Sequence, residues 1–236
     1  MQHIIRDWQN QFYTSALLII VLIIVIRTSI KHRKKFILLR YFPIYAAALL
    51  LDFVFLDLYY FAKDANYHRD FFAALSSYID YFFTLLELII FSHFYYQVIN
   101  NRIIKKLIFI FNILFILFFI YMATKDNYFY KDISEATQSI VYTVESIVLL
   151  FLCSFYFIEL FKRLPLMDLK NEPAFWVSTG VFFFMACTLP YSLLENHIRK
   201  NYPNSVMTSY SIFHVFYILL FVIIIRAYLC RPGKMI

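Results

Sequence analysis

The chain has 236 residues, 62% of them hydrophobic and 16% charged, with a formal net charge of +7. A soluble domain holds about a half and a quarter, so the apolar excess must face lipid, and the positive charge reads as basic loops against anionic headgroups rather than as a nucleic-acid surface. Two glycines against 29 Phe and 20 Tyr exclude a Gly-rich phosphate loop, and with it P-loop and Rossmann nucleotide chemistry.

The N-terminal MQHIIRDWQNQ has neither the basic region nor the small-residue cleavage site of a signal peptide, so the first apolar run is expected to remain as a helix. Apolar runs follow at about 11–28, 36–62, 71–98, 103–123, 136–162, 173–195 and 206–228. Each reaches the ~17 to 25 residues that cross hydrocarbon as a helix. A lone strand would leave its backbone polar groups unpaired there, so each run is read as α. The expected fold is an all-α membrane protein: residues 1–236 form one seven-transmembrane-helix bundle with the lipid bilayer as its first partner.

Loop charge sets the orientation. Arg27, Lys31, Arg33, Lys34, Lys35, Arg40, Arg102, Lys105, Lys106, Lys162, Arg163, Lys170, Arg226, Arg231 and Lys234 fall on one side. The other side has Arg6, Lys63, Arg69, Lys125, Lys131, Arg199 and Lys200. The richer side goes to the cytoplasm, which puts the N-terminus outside and the C-terminus in the cytoplasm.

Ionisable groups inside spans are costly, so each is a candidate for function. The second span carries Asp52 and Asp57, with Pro43 near its start. On the third, Asp80, Thr84 and Glu87 recur at i, i+4 and i+7, one face of one helix. The fifth has a stripe of Gln138, Tyr142, Glu145 and Ser146, continued by Leu149 and Cys153. Glu159 lies a turn from Lys162 and Arg163 and is expected to pair with them. On the sixth, Trp176, Thr179, Gly180, Phe183, Cys187 and Pro190 with Tyr191 share a face, and Pro190 is expected to kink or loosen the helix. Tyr210, His214 and Tyr217 share a face of the seventh. All these stripes are expected to point away from lipid.

With the N-terminus outside, most of these groups fall in the outer half or at the middle. The expectation is an outer-half polar cavity of carboxylates plus one imidazole, with no Lys or Arg at that depth. Its ligand-binding residues would be Asp57, Asp80, Glu87, Tyr142, Glu145, Tyr191, Tyr210 and His214, with Trp176 and Pro190 coupling it to the cytoplasmic ends. Tyr142, Tyr191, Tyr210 and Tyr217 could form an aromatic cage for a cation. The bland reading of each residue is interhelical hydrogen-bonding glue.

No catalytic signature is present. His93, His197 and His214 are scattered, without HxxxH or HExxH, so neither a zinc site nor another cofactor is expected. The seventh span has no Lys, which rules out a retinal Schiff base at the position where microbial opsins attach theirs. Cys153, Cys187 and Cys230 form no CxxC and read as buried thiols.

Three segments, YFFTLLELIIFSHFYYQVI at 81–99, FYFIELFKRLPLMDLKNEPAFWVSTGVFFF at 155–184 and SIFHVFYILLFVIIIRAYLC at 211–230, resemble uncharacterised seven-transmembrane-helix membrane proteins of Bacteroidota. In that group an intramembrane Glu follows aromatic residues, as Glu87 does. A later helix opens with Pro-x-Phe-Trp, as at Pro173, Phe175 and Trp176, followed by a small residue such as Gly180. The group looks related to the membrane sensor portions of some histidine kinases. The resemblance implies bacterial inner-membrane residence and a sensory role. The expected function is a receptor-like sensor that binds a small ligand or cation and signals to a cytoplasmic partner. An ion or proton channel or transporter, built as a homo-oligomer if several copies share a pore, is the alternative. An intramembrane metal-dependent hydrolase is the third reading.

Overall fold

A computed structural model describes residues 2–32, 39–64, 69–125, 135–163, 169–201 and 206–230. Among them are seven helices: α1 (Gln2–His32), α2 (Phe42–Asp64), α3 (Arg69–Val98), α4 (Arg102–Lys125), α5 (Glu135–Arg163), α6 (Pro173–Asn201) and α7 (Val206–Leu229). A single 3-10 turn at Leu169–Asn171 precedes α6. α1 starts well before the first apolar run, because nothing in its polar N-terminal stretch breaks a helix.

Local chemistry fixes several ends. Pro43 sits in the first turn of α2, where its missing N–H costs nothing. Asn101 caps α4, its Oδ1 accepting the Ile103 N–H at 2.8 Å. Glu172 caps α6, its carboxylate accepting the Ala174 N–H beside Pro173 at the first helical position. Glu159, whose sequence neighbours are Lys162 and Arg163, accepts the Asn100 N–H at 3.1 Å and so ties the end of α5 to the α3–α4 link.

The principal packing partners close a ring in the order α1, α2, α3, α5, α6, α7 and back to α1. α4 stands outside it, against α3 and α5. It buries only Ile108, Phe115 and Met122, one residue every seven, the seam of a helix with a single packed edge. Tyr81 of α3 pins that edge: its ring stacks on Phe119 at 4.1 Å and its hydroxyl donates to the Phe119 carbonyl at 3.0 Å.

Cross-helix contacts show which ends lie together. Tyr45, early in α2, reaches Glu87, late in α3. Tyr228 at the end of α7 donates to the Leu39 carbonyl just before α2, at 2.7 Å. Arg226 lies over the Trp176 ring at the start of α6, 5.4 Å from its centroid. This end of the bundle carries the exposed side chains of Arg27, Lys31, Arg40, Arg102, Lys106, Lys162, Lys170 and Arg226, and is called the basic end below.

Four helical stretches among the described residues are long and apolar enough to cross a membrane: Arg102–Lys125, Thr137–Lys162, Pro173–Glu195 and Ile212–Leu229. Phe42–Phe55 is a shorter apolar stretch. Leu17, Ile20, Leu114, Leu117, Phe183, Leu194, Leu219 and Val222 are all exposed, while Glu87, Glu145 and His214 are buried. Apolar outside and acidic inside is the arrangement of a membrane protein.

One expected face is corrected. On α6, Phe183, Cys187 and Pro190 point outward, and the buried edge is Val177, Ser178, Val181, Phe184, Met185, Thr188 and Ser192. Cys187 is therefore exposed, whereas Cys153 and Cys230 are buried. Weakly polar residues occur on both sides of this helix, so polarity alone could not choose between them. α6 continues through Pro190 to Asn201.

Candidate functional site

The Asp80 carboxylate is held by two donors from α5. Tyr142 Oη donates to its Oδ1 and Gln138 Nε2 to its Oδ2. Gln138 and Tyr142 are four residues apart, so one face of α5 meets both oxygens at once. Thr84, the next residue on the Asp80 face, bonds back to the Asp80 carbonyl at 3.2 Å and presents no donor to the carboxylate from there.

Two turns further toward the basic end, Glu87 is 2% exposed and accepts from Tyr45 Oη of α2 at 3.1 Å. Glu145 of α5 is also 2% exposed and lies within electrostatic reach of both Glu87 and Asp80. Its Oε1 is buried and has no hydrogen-bond partner. Asp52 of α2, 7% exposed, interacts with Asp80. Tyr217 of α7 interacts with all four carboxyls, and its ring rests on Phe184 at 4.5 Å. Three helices of the ring thus supply one acidic cluster, Asp52 from α2, Asp80 and Glu87 from α3 and Glu145 from α5, with Tyr217 of a fourth, α7, beside it.

Among the side chains the structure describes, no Lys or Arg is buried beside these acids. Carboxylates of one sign in an apolar interior require protons or a bound cation. Among the described residues no three His, Cys, Asp or Glu side chains are grouped to hold a metal ion.

Other expected members lie elsewhere. His214 is 2% exposed, with Nδ1 3.5 Å from Ser15 Oγ of α1 and its ring edge-on to Phe53 at 4.8 Å. Tyr191 packs edge-on against Phe213 at 4.7 Å and lines a groove of about 310 Å³ between α6 and α7, with Cys187, Pro190, Leu194 and Ile212. Of the cage expected from Tyr142, Tyr191, Tyr210 and Tyr217, the described members part company: Tyr142 and Tyr217 attend the carboxyls and Tyr191 the groove. Pro190 is exposed on that groove. Trp176 is at the basic end, donating from Nε1 to the Lys170 carbonyl at 3.1 Å. The side chains of Asp57 and Tyr210 lie outside the described residues. His93 meets Tyr41 and Gln97 near the basic end, and His197 meets Asn201 at the opposite end of α6.

Sequence reasoning passed over Tyr45, whose partner Glu87 lies on another helix. Asp52, Gln138 and Tyr217 were visible as span residues but carried no sign of which carboxyls they would meet. A further polar seam joins α5 to α6, where Thr143 Oγ1 donates to Ser192 Oγ at 3.1 Å and Ser139 donates to the Ser192 carbonyl. It fastens the α5 helix that presents Gln138, Tyr142 and Glu145.

No protein-family profile, curated protein or solved structure matches the chain. What the fold and site define is a class: an all-helical membrane protein with an acidic cluster inside a ring of helices.

Proposed function

We propose that this chain is a multi-pass protein of a bacterial inner membrane that binds a small cation or cationic ligand inside its helix ring and reports it to a cytoplasmic partner. All seven helices span, with the N-terminus outside and the basic end in the cytoplasm, where its Lys and Arg side chains meet anionic lipid. The observation that carries the reading is the Glu145 Oε1: a buried oxygen with no hydrogen-bond partner, within electrostatic reach of Glu87 and Asp80, with no buried Lys or Arg among the described side chains.

Sensing is favoured over conduction by what lies between the cluster and the basic end. Phe91 packs edge to face with Tyr45 and Phe42 at 5.3 and 5.6 Å, Phe42 meets Phe94 at 5.8 Å, and Phe221 leans on Tyr45 at 5.5 Å. A hydrated ion crossing this plug would lose its water with little to replace it. Tyr45 touches both Glu87 and the plug, so a ligand on Glu87 bears directly on it. From there the Trp176–Arg226 contact carries a shift of α6 against α7 to the cytoplasmic face.

The test is a cation titration of the purified protein in nanodiscs, read by its unfolding midpoint, with liposome flux measured in parallel. A saturable rise is expected in the wild type and not in Glu87→Gln. Ligand at about a hundredfold its Kd adds about 2.7 kcal/mol. A flat response to every cation overturns binding, and cation flux through liposomes overturns the sensor.

A further inference from the structure

We infer that the cation this site takes is an organic ammonium, best a linear diammonium, rather than a metal ion. The inference rests on the cation-binding reading above and specifies its ligand class.

A metal ion asks for several oxygens converging on one point; Ca²⁺ takes about six to eight at ~2.3–2.6 Å, and Mg²⁺ about six at ~2.0–2.1 Å. The acids are arranged otherwise. Asp80 and Glu87 are seven residues apart on one helix, which separates them by about 10 Å along its axis. Among the described residues no trio of ligating side chains converges. The oxygens are also partly committed: both of Asp80 already accept from Tyr142 and Gln138, and Glu87 Oε1 from Tyr45. Each retains lone-pair capacity for a further donor, but none of them is arranged to wrap an ion.

An ammonium group needs less convergence and offers more. Its N–H donors pair with carboxylate oxygens one at a time at hydrogen-bond distance. Glu145 Oε1, buried and without a hydrogen-bond partner, is an oxygen that such a group would satisfy, with Glu87 and Asp80 within electrostatic reach. Tyr142 and Tyr217 attend the same carboxyls, and aromatic rings attract an organic cation through their faces. Acids spread along an axis, rather than gathered at a point, match a ligand with a charge at each end. One ammonium would rest on Glu145 and Glu87 and the other on Asp80.

The experiment uses the full chain in nanodiscs of uncharged lipid. The probes are 1,4-diaminobutane and methylammonium, and the chlorides of sodium, potassium, magnesium and calcium at matched ionic strength. Isothermal titration and the unfolding midpoint are read for each. The expected result is saturable binding of 1,4-diaminobutane, at least tenfold tighter than methylammonium, with no saturable response to the metal ions. Glu145→Gln keeps the shape of the side chain and is expected to weaken the diamine at least tenfold. Saturable binding of a metal ion that Glu145→Gln abolishes, with no response to the amines, overturns the ammonium inference and leaves the cation site standing. No response to any probe overturns both. Diamine binding that Glu145→Gln leaves unchanged also overturns the inference, because the amine then binds elsewhere. If Glu145→Gln fails to fold, the comparison of amines with metal ions on the wild type decides alone.

Discussion

Removing the Tyr142 hydroxyl tests whether Asp80 is wired as an ionised acceptor. Both Asp80 oxygens accept hydrogen bonds, one from Tyr142 and one from Gln138. Interhelical hydrogen bonds in membrane proteins average about 0.6 kcal/mol and reach about 1.7, while bonds to charged groups are worth about 1.5–3 kcal/mol. If Asp80 is a carboxylate, its coupling to Tyr142 belongs at the overlap of these ranges, about 1.5 kcal/mol, roughly a tenfold change in the unfolding equilibrium. The assay is a double-mutant cycle of Tyr142→Phe, Asp80→Asn and the double variant, unfolded reversibly in bicelles. The double variant is expected to be more stable than the sum of the single losses implies, because Tyr142→Phe leaves Asp80 short of a donor while Asp80→Asn leaves Tyr142 only a neutral, weaker acceptor. A coupling at or below about 0.6 kcal/mol refutes the reasoning: the pair would then be ordinary glue, and Asp80 no fixed charge.

Gly180 lies where α6 crosses α7. A Cβ there would sit 3.2 Å from Leu220 Cδ1, the end of a flexible side chain, and 3.2 Å from Ile223 Cγ2, the branch methyl of a stiffer one. Gly180→Ala is expected to fall within about 1 kcal/mol of wild type, since helix propensity offsets the crowding. Gly180→Leu forces the helices apart and is expected to cost about 1–3 kcal/mol in the same unfolding assay. Glu172 gives a pH signature outside the spans. Burial raises its carboxyl above its ordinary 4.5, with the Ala174 N–H opposing. Because the folded chain holds this proton more tightly, the contribution is present in full below pH 4.5 and is lost as the pH rises through the raised value. Melting curves of wild type against Glu172→Gln are expected to move in favour of the variant as pH rises from acid to neutral, and a constant gap across that range refutes the assignment.

Much of the site was visible in the linear pattern. The i, i+4, i+7 recurrence of Asp80, Thr84 and Glu87 placed them on one face, and that face turns inward, with Thr84 and Glu87 buried. The α5 stripe did the same for Glu145, Ser146, Leu149 and Cys153. On α6 the method failed, because Thr179 and Cys187 are as weakly polar as Ser178 and Thr188, and only the latter pair is buried. Tyr45 was invisible because its role depends on a carboxyl 42 residues away on another helix. His214 was grouped with the acids by its inward face and its depth, and neither says which neighbours it meets around the ring: it meets Ser15 and Phe53 on α1 and α2.

The sequence by itself determined the apolar, helical character of the chain, where its helices fall, which end is basic and that its scarce acids turn inward. These follow from transfer free energies, which each residue carries wherever it sits: a charge is costly in hydrocarbon and a Leu is not. Tertiary structure alone decided that six helices close a ring with α4 outside, that Tyr45 serves Glu87 while Tyr142 and Gln138 serve Asp80, and that Glu145 keeps a bare oxygen. Lipid is as apolar as a leucine, so hydrophobicity does not choose a helix's neighbours; close packing and a few interhelical hydrogen bonds do, and those exist only once the helices have met.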